Sequence, residues 1–257
     1  MDLTLSGSVA VVTGASRGIG VAVTRSLLRE GCKVIGIARG SMPEDEDLRN
    51  HAGFSYLRAD LSDLDAIEAL AAVLPGRIDV LVNNVGSAPP RPGGFGSIAD
   101  RDWLSTLTLN LLAAVRMTRT VLPRIPPGGA VVNVASENSK LADPLVMDYS
   151  AAKAGLLSFT KSLSKELGPK GVRVNSISPG PVATDLWLGA GGVAEQVAAA
   201  TGGRAEQVRA GAESAMPTGR FTRPEEVADL IAVLASPRFG NVTGSDFVID
   251  GGMRPTI

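Results

Sequence analysis

Short apolar runs separated by helix-length segments recur along the whole chain, and this alternation narrows the choice of fold more than any other feature. Residues 8–13 (SVAVVT) form the first run, end at glycines and read as a buried strand. An amphipathic run to about residue 30 follows and is stopped by Gly31. Further strands are expected at 32–38 (CKVIGIA), 54–59, 78–83 (IDVLVN), 130–135 (AVVNVA), 172–178 and 247–250. Helices are expected to open in the acidic run 44–47 and to span 63–74, about 100–122, about 146–167 and 225–235, the last with Pro224 at its start. Many of the strands lack polar alternation, as in a sheet covered on both faces. Right-handed crossovers then give an α/β, doubly wound, Rossmann-like parallel sheet of seven strands with helices on both faces. No linker or repeat divides residues 1–257, which are expected to form one domain. The Ala/Gly-rich stretch 186–216 is too long for a simple connection and reads as a mobile lid over the carboxyl ends of the strands.

Between the first strand and the first helix lie Gly14, Gly18 and Gly20, spaced GxxxGxG. Glycines there let the backbone approach a pyrophosphate, and the free amides of a helix N-terminus favour the anion. Gly14 to Gly18 also match G-x-S-x-G, the nucleophile elbow of α/β-hydrolases. That chemistry needs a histidine after the acid in chain order, and the one histidine, His51, comes too early. The hydrolase reading fails.

A second cluster lies at Ser136 and at Tyr149-Ser-Ala-Ala-Lys153. On a helix, Tyr149 and Lys153 stand one turn apart on one face. A nearby ammonium lowers a tyrosine pKa by about 1–3 units from its usual value of about 10, which suits a general acid/base. Ser136 can hydrogen-bond the same substrate oxygen.

Composition excludes several other classes. A formal net charge of -1 argues against nucleic acid or an acidic membrane as the main partner. Apolar runs stop well short of the roughly 18 residues that a membrane span needs. The first residues lack the basic-then-apolar pattern of a signal peptide. Cys32 is the one cysteine, so no internal disulfide is possible and a cytoplasmic location is expected. One His and one Cys leave no zinc-like cluster, and no metal is expected.

Taken together, these residues resemble the short-chain dehydrogenase/reductase family, most closely its 3-oxoacyl-reductase-like branch. The landmarks are the turn from Thr13 to Gly20, Asn83-Asn84-Val85-Gly86, Asn110, Ser136, Tyr149, Lys153, Pro179-Gly180 with Thr184, and the closing Asp250-Gly-Gly. Val85 departs from the usual alanine, and the loop 87–96 is longer and richer in proline than usual. The resemblance implies a proton-donating Tyr149, a carbonyl-orienting Ser136, a Lys153 that tunes Tyr149 and binds the nicotinamide ribose, and an Asn110 holding a water linked to Lys153. It implies cofactor contacts at Gly14, Ser16, Arg17, Gly18, Ile19, Gly20, Arg39, Asp60, Leu61, Asn83, Gly86, Tyr149, Lys153, Pro179, Gly180, Val182 and Thr184. For Asp60 the implied contact is the adenine amino group, with capping of the next helix as the alternative.

The expected activity is hydride transfer between NADP(H) and a ketone or secondary alcohol, with a 3-oxoacyl thioester first among substrates. A sugar, steroid or secondary-metabolite ketone is the rival, and a non-catalytic dinucleotide sensor the alternative of another class. NADP(H) is preferred because Ala38, followed by Arg39, stands where an NAD site places an acid, with Arg17 as a second cation. Both arginines could equally be ordinary surface residues. A homotetramer is expected through the helices at about 100–122 and 146–167. Leu156, Leu157, Phe159, Leu163 and Leu167 give the second more apolar surface than a one-sided helix needs, and Ala151, Ala152, Ala154 and Gly155 allow close approach.

Overall fold

The computed structural model describes residues 1–255. In chain order its main elements are β1 (Val9–Thr13), α1 (Gly18–Arg29), β2 (Lys33–Ala38), α2 (Glu46–Asn50), β3 (Phe54–Arg58), α3 (Leu64–Val73), β4 (Val80–Asn83), α4 (Asp100–Leu107) and α5 (Ala113–Val121). They continue as β5 (Ala130–Val134), α6 (Met147–Leu167), β6 (Arg173–Pro179), α7 (Asp185–Leu188), α8 (Val193–Thr201), α9 (Ala205–Ser214), α10 (Pro224–Ala235) and β7 (Asp246–Ile249). The seven strands form one sheet in the order β3-β2-β1-β4-β5-β6-β7, every pair parallel. Strand order reverses between β1 and β4, which opens a crevice at their carboxyl ends.

Alternation along the strands divides the core in two. Val12, Val82 and Val132 pack with Leu27 of α1 and Ile231 of α10 on one face. Val11, Leu81 and Val131 pack with Ile67 of α3, Met117 of α5 and Leu167 of α6 on the other. Both faces are covered, so the strands carry apolar side chains in either direction.

Three details depart from the sequence-based expectations. The helix expected at 100–122 is broken by a π-turn over Thr108–Leu112, where the Ala113 amide bonds the Thr108 carbonyl. The apolar spacing passes through this turn without a gap, which is why periodicity does not show it. The helix near 44–47 begins later, because Asp45 caps it by accepting from the Leu48 amide at 3.2 Å. The 186–216 stretch folds as α7, α8 and α9, and a bridge between Val182 and Thr222 flanks it. Finally, Leu156, Leu163 and Leu167 are buried in the chain's own core, as is Ala152. A Cβ on Gly155 would meet Leu111 at 3.1 Å. Of the small residues on α6, Ala151 and Ala154 remain exposed. No helix among the described residues is long and apolar enough to cross a membrane.

Candidate active site

The turn from β1 into α1 is tight because two glycines permit it. Gly14 has φ +69°, a left-handed conformation that side chains disfavour, and a Cβ on Gly20 would lie 2.1 Å from the Gly14 carbonyl oxygen. Asn84 holds the turn from the neighbouring strand. Its Nδ2 donates to the carbonyls of Thr13 at 3.1 Å and Gly14 at 3.4 Å, and its amide donates to Thr13 Oγ1 at 2.9 Å. The motif around 83–86 made Asn83 the expected cofactor residue. The structure turns the Asn83 side chain the other way, into the core, where Nδ2 donates to Thr118 Oγ1 at 3.0 Å and Asn133 Oδ1 at 2.9 Å. Side chains alternate along a strand, so only one of the two asparagines can face the crevice.

A cavity of about 590 Å³ begins at this turn and runs to the amino-terminal end of α6. Gly14, Ser16, Arg17, Gly18 and Ile19 line its first part, and Arg39, Asp60 and Leu61 line the side towards β2 and β3. Gly86, Pro179, Gly180, Val182 and Thr184 line the middle. Gly20 and Asn110 stand behind this lining, Gly20 packed on the turn and Asn110 in the π-turn of the interrupted helix. Asp60 does not cap the next helix, whose cap is Asp63; its Oδ1 accepts from the Ser62 amide at 2.9 Å and hydroxyl at 2.7 Å in the turn before it. Those bonds, with Arg39 nearby, hold its carboxyl below the ordinary value. A dinucleotide suits the residues present. The bare glycine backbone and the amino end of α1 suit a pyrophosphate, and Arg17 and Arg39 stand exposed at the rim beside Ala38.

At the far end of the cavity stand Ser136, Tyr149 and Lys153. The β5 strand delivers Ser136 to a turn at its end, and α6 carries Tyr149 and Lys153 one helical turn apart. The Lys153 ammonium lies 5.7 Å from the Tyr149 ring centre and donates to the Val134 carbonyl at 2.7 Å. Burial pulls Lys153 down to about 8 and pushes Tyr149 well up, a rise that a hydrogen bond with Ser136 opposes. The lowered tyrosine pKa expected from the Tyr-Lys spacing is therefore reversed by burial, and Tyr149 stands as a protonated donor. Asn110 is buried, with Nδ2 donating to the carbonyls of Ser87 at 3.0 Å and Thr106 at 3.1 Å. A Cβ on Gly86 would lie 2.7 Å from Asn110 Oδ1 and 3.4 Å from Lys153 Nζ, so both side chains converge on that bare backbone.

Several residues lining the cavity escaped the sequence reading. Glu137, next to Ser136, is buried, and Ser136 Oγ donates to its Oε2 at 3.0 Å. Leu186, Trp187, Val193 and Val208 bring an apolar wall from the α7–α9 segment, and Asp143 and Asp185 add acid to the lining. Acid next to a motif serine carries no sequence signal by itself, because its burial depends on packing. Among the described residues no cluster of His, Cys, Asp and Glu could hold a metal ion.

Comparison with known proteins agrees with this geometry. The family described as enoyl-(acyl carrier protein) reductase matches residues 14–254. The chain is 36% identical to D-threitol dehydrogenase of Mycolicibacterium smegmatis, over 98% of this chain and 94% of that protein. It is 34% identical to a 3-oxoacyl-(acyl-carrier-protein) reductase of Vibrio harveyi, over 98% and 99%. Among solved structures, L-sorbose reductase of Gluconobacter frateurii, determined with NADPH and L-sorbose, superposes with a TM-score of 0.89 at 30% identity and full coverage of both chains.

Proposed function

Because the chain belongs to the short-chain dehydrogenase/reductase family, we propose that it is an NADPH-dependent reductase that interconverts a ketone and its secondary alcohol. The observation that carries this reading is the single cavity joining the glycine turn to Ser136, Tyr149 and Lys153. One end suits the pyrophosphate of a dinucleotide, and the other presents donors to a carbonyl oxygen. The bound cofactor supplies hydride at the carbonyl carbon. Tyr149 gives its hydroxyl proton to the oxygen as charge develops there, and Ser136 donates a second hydrogen bond to the same atom. Lys153 orients the ribose and offers positive charge beside the tyrosinate left behind. Asn110 keeps an acceptor lone pair beyond its bonds to Ser87, enough for a water that returns protons to Lys153.

The substrate end favours a neutral ketone. Its apolar wall suits the acyl arm of a 3-oxoacyl thioester, whereas Glu137, Asp143 and Asp185 suit the hydroxyls of a ketose. A 3-oxoacyl thioester remains the first choice, and the D-threitol and L-sorbose enzymes support the second. We read 1–257 as one domain in which 186–216 closes over the substrate, in a cytoplasmic homotetramer. The test is a panel containing a 3-oxoacyl N-acetylcysteamine thioester, L-sorbose, erythrulose and a steroid ketone, with NADPH or NADH, followed by loss of reduced-nicotinamide absorbance. Turnover of at least one ketone with NADPH is expected. Tight NADPH binding with no turnover across the panel would mark a sensor instead.

A further inference from the structure

We propose that Glu137 is a positioning residue whose protonation decides whether the Ser136 hydroxyl is free to polarise the substrate carbonyl. This deepens the proposed reaction and rests on the role given to Ser136 above. The Ser136 hydroxyl has one proton and two acceptor positions. One acceptor position is taken by the Asn138 amide at 3.2 Å. The proton points to Glu137 Oε2 at 3.0 Å, with Asn138 Oδ1 at 3.4 Å and the Tyr149 oxygen as competing acceptors. When Glu137 is ionised, a carboxylate holds that proton, and such a charge-assisted bond is about twice as strong as a neutral one. When Glu137 is protonated, its own O–H donates to the open acceptor position on Ser136 Oγ. The Ser136 proton is then released towards the cavity, and donation runs in one direction from Glu137 through Ser136 to the carbonyl oxygen.

The surroundings make both states accessible. Glu137 is 8% exposed and lines the cavity. Burial pushes its carboxyl up to about 7, against bonds from Ser136 and two backbone amides, and Asp250 adds to the rise. The turn Glu137–Ser139 packs on α6 and β6. From α6 come Tyr149, kept protonated by burial, Lys153 at about 8, and Asp148, paired with Arg91. From β6 the charged group is Arg173, whose guanidinium is spent on the carbonyls of Leu234, Ala235 and Ser236. At and beyond β7, Asp246 is held by Lys140, and Asp250 accepts from the amides of Gly252 and Arg254. Asp143 and Asp185 also line the cavity. Lys153 is thus the neighbour whose titration has to be separated from that of Glu137.

Glu137→Gln separates them, because its side chain is always neutral and its amide can donate to Ser136 Oγ. The assay is kcat/KM for reduction of ethyl acetoacetate by NADPH from about pH 5 to 9. In the wild type it should fall about tenfold per pH unit above a midpoint near 7. Glu137→Gln should lose that step and keep only the one belonging to Lys153. Carboxyl-carbon NMR of glutamate-labelled protein reads the group without turnover. One resonance, missing in Glu137→Gln, should titrate near 7 instead of the ordinary value of about 4.3. A midpoint below about 5.5, or identical pH profiles for wild type and variant, overturns the proposal. Ser136→Ala in the same assay distinguishes the two levels. Wild-type turnover in Ser136→Ala removes the role of Ser136 and the proposal with it. An inactive Ser136→Ala beside an unchanged Glu137→Gln profile removes the proposal alone.

Discussion

Removing the oxygen of Tyr149 while keeping its ring is the sharpest probe of a single atom in this cavity. Tyr149→Phe preserves the surface that Lys153 approaches and leaves the glycine turn untouched. Turnover should fall by at least about 10²- to 10⁴-fold, with NADPH affinity, read by fluorescence titration, changed little. Near-normal turnover would remove Tyr149 from the mechanism. Arg39 is the corresponding probe of cofactor choice. A 2′-phosphate brings charge that a guanidinium binds with paired hydrogen bonds and a carboxylate repels. Arg39 and Arg17 line the cavity rim with Ala38, and no acid takes the place of Ala38 at the end of β2. NADPH should exceed NADH by at least about tenfold in kcat/KM, about 1.4 kcal/mol, and Arg39→Asp should narrow or invert that ratio. Equal use of both cofactors by the wild type would reject the assignment. At this scale the sequence marks Ser136, Tyr149 and Lys153 by their spacing. It does not mark Glu137, whose burial comes from packing, or which of Asn83 and Asn84 faces the crevice.

Between residue and molecule, the element that stands out is the loop 87–96, because one of its side chains grips the start of α6. Arg91 Nη2 and Nε donate to Asp148 Oδ2 at 2.6 and 3.1 Å, and Thr106 Oγ1 donates to the same oxygen at 2.7 Å. Asp148 is fully buried and immediately precedes Tyr149. Burial alone would raise its carboxyl, but the bonds from Arg91 and Thr106 hold it below the ordinary value. Arg91→Met would leave that charge buried without its cation, a loss of about 3–5 kcal/mol measurable by urea denaturation. The double variant Arg91→Met with Asp148→Asn should recover much of it, since no fully buried charge then remains; Asp102, 3.7 Å from Arg91 Nη1, is partly exposed to water. Because the folded carboxyl is depressed, the stability from this pair is present above the ordinary value and is lost as pH falls through the folded one. Equal stability of Arg91→Met and wild type at neutral pH would show that the pair is not a clamp. The sequence shows the prolines around Arg91 but not its partner, since Asp148 lies far along the chain and only the fold brings them together.

For the whole molecule, the order of strands and helices follows from the alternation of apolar runs, because a sheet covered on both faces leaves few other arrangements. What surrounds the molecule is harder to read, and the outer face of α6 shows why. Leu156, Leu163 and Leu167, which look like surplus surface in the sequence, are spent on the chain's own core. The remaining outward candidates are Ala151, Ala154 and the half-buried Leu157 and Phe159 on α6, and Leu104 on α4, 65% exposed. Small residues let a second helix approach closely, and an exposed leucine gains by being covered, at about 25 cal/mol per Å² of apolar area. Assembly through α4 and α6 is therefore expected, with the tetramer as the predicted form. Ala154→Arg puts a charge where close approach is needed, and desolvating it without a partner opposes association. Light scattering at micromolar concentration should give a tetramer for the wild type and a smaller species for Ala154→Arg, with unchanged circular dichroism. A wild type that stays monomeric would end this reading of the helix faces. A tetramer that tolerates Ala154→Arg would move the interface elsewhere.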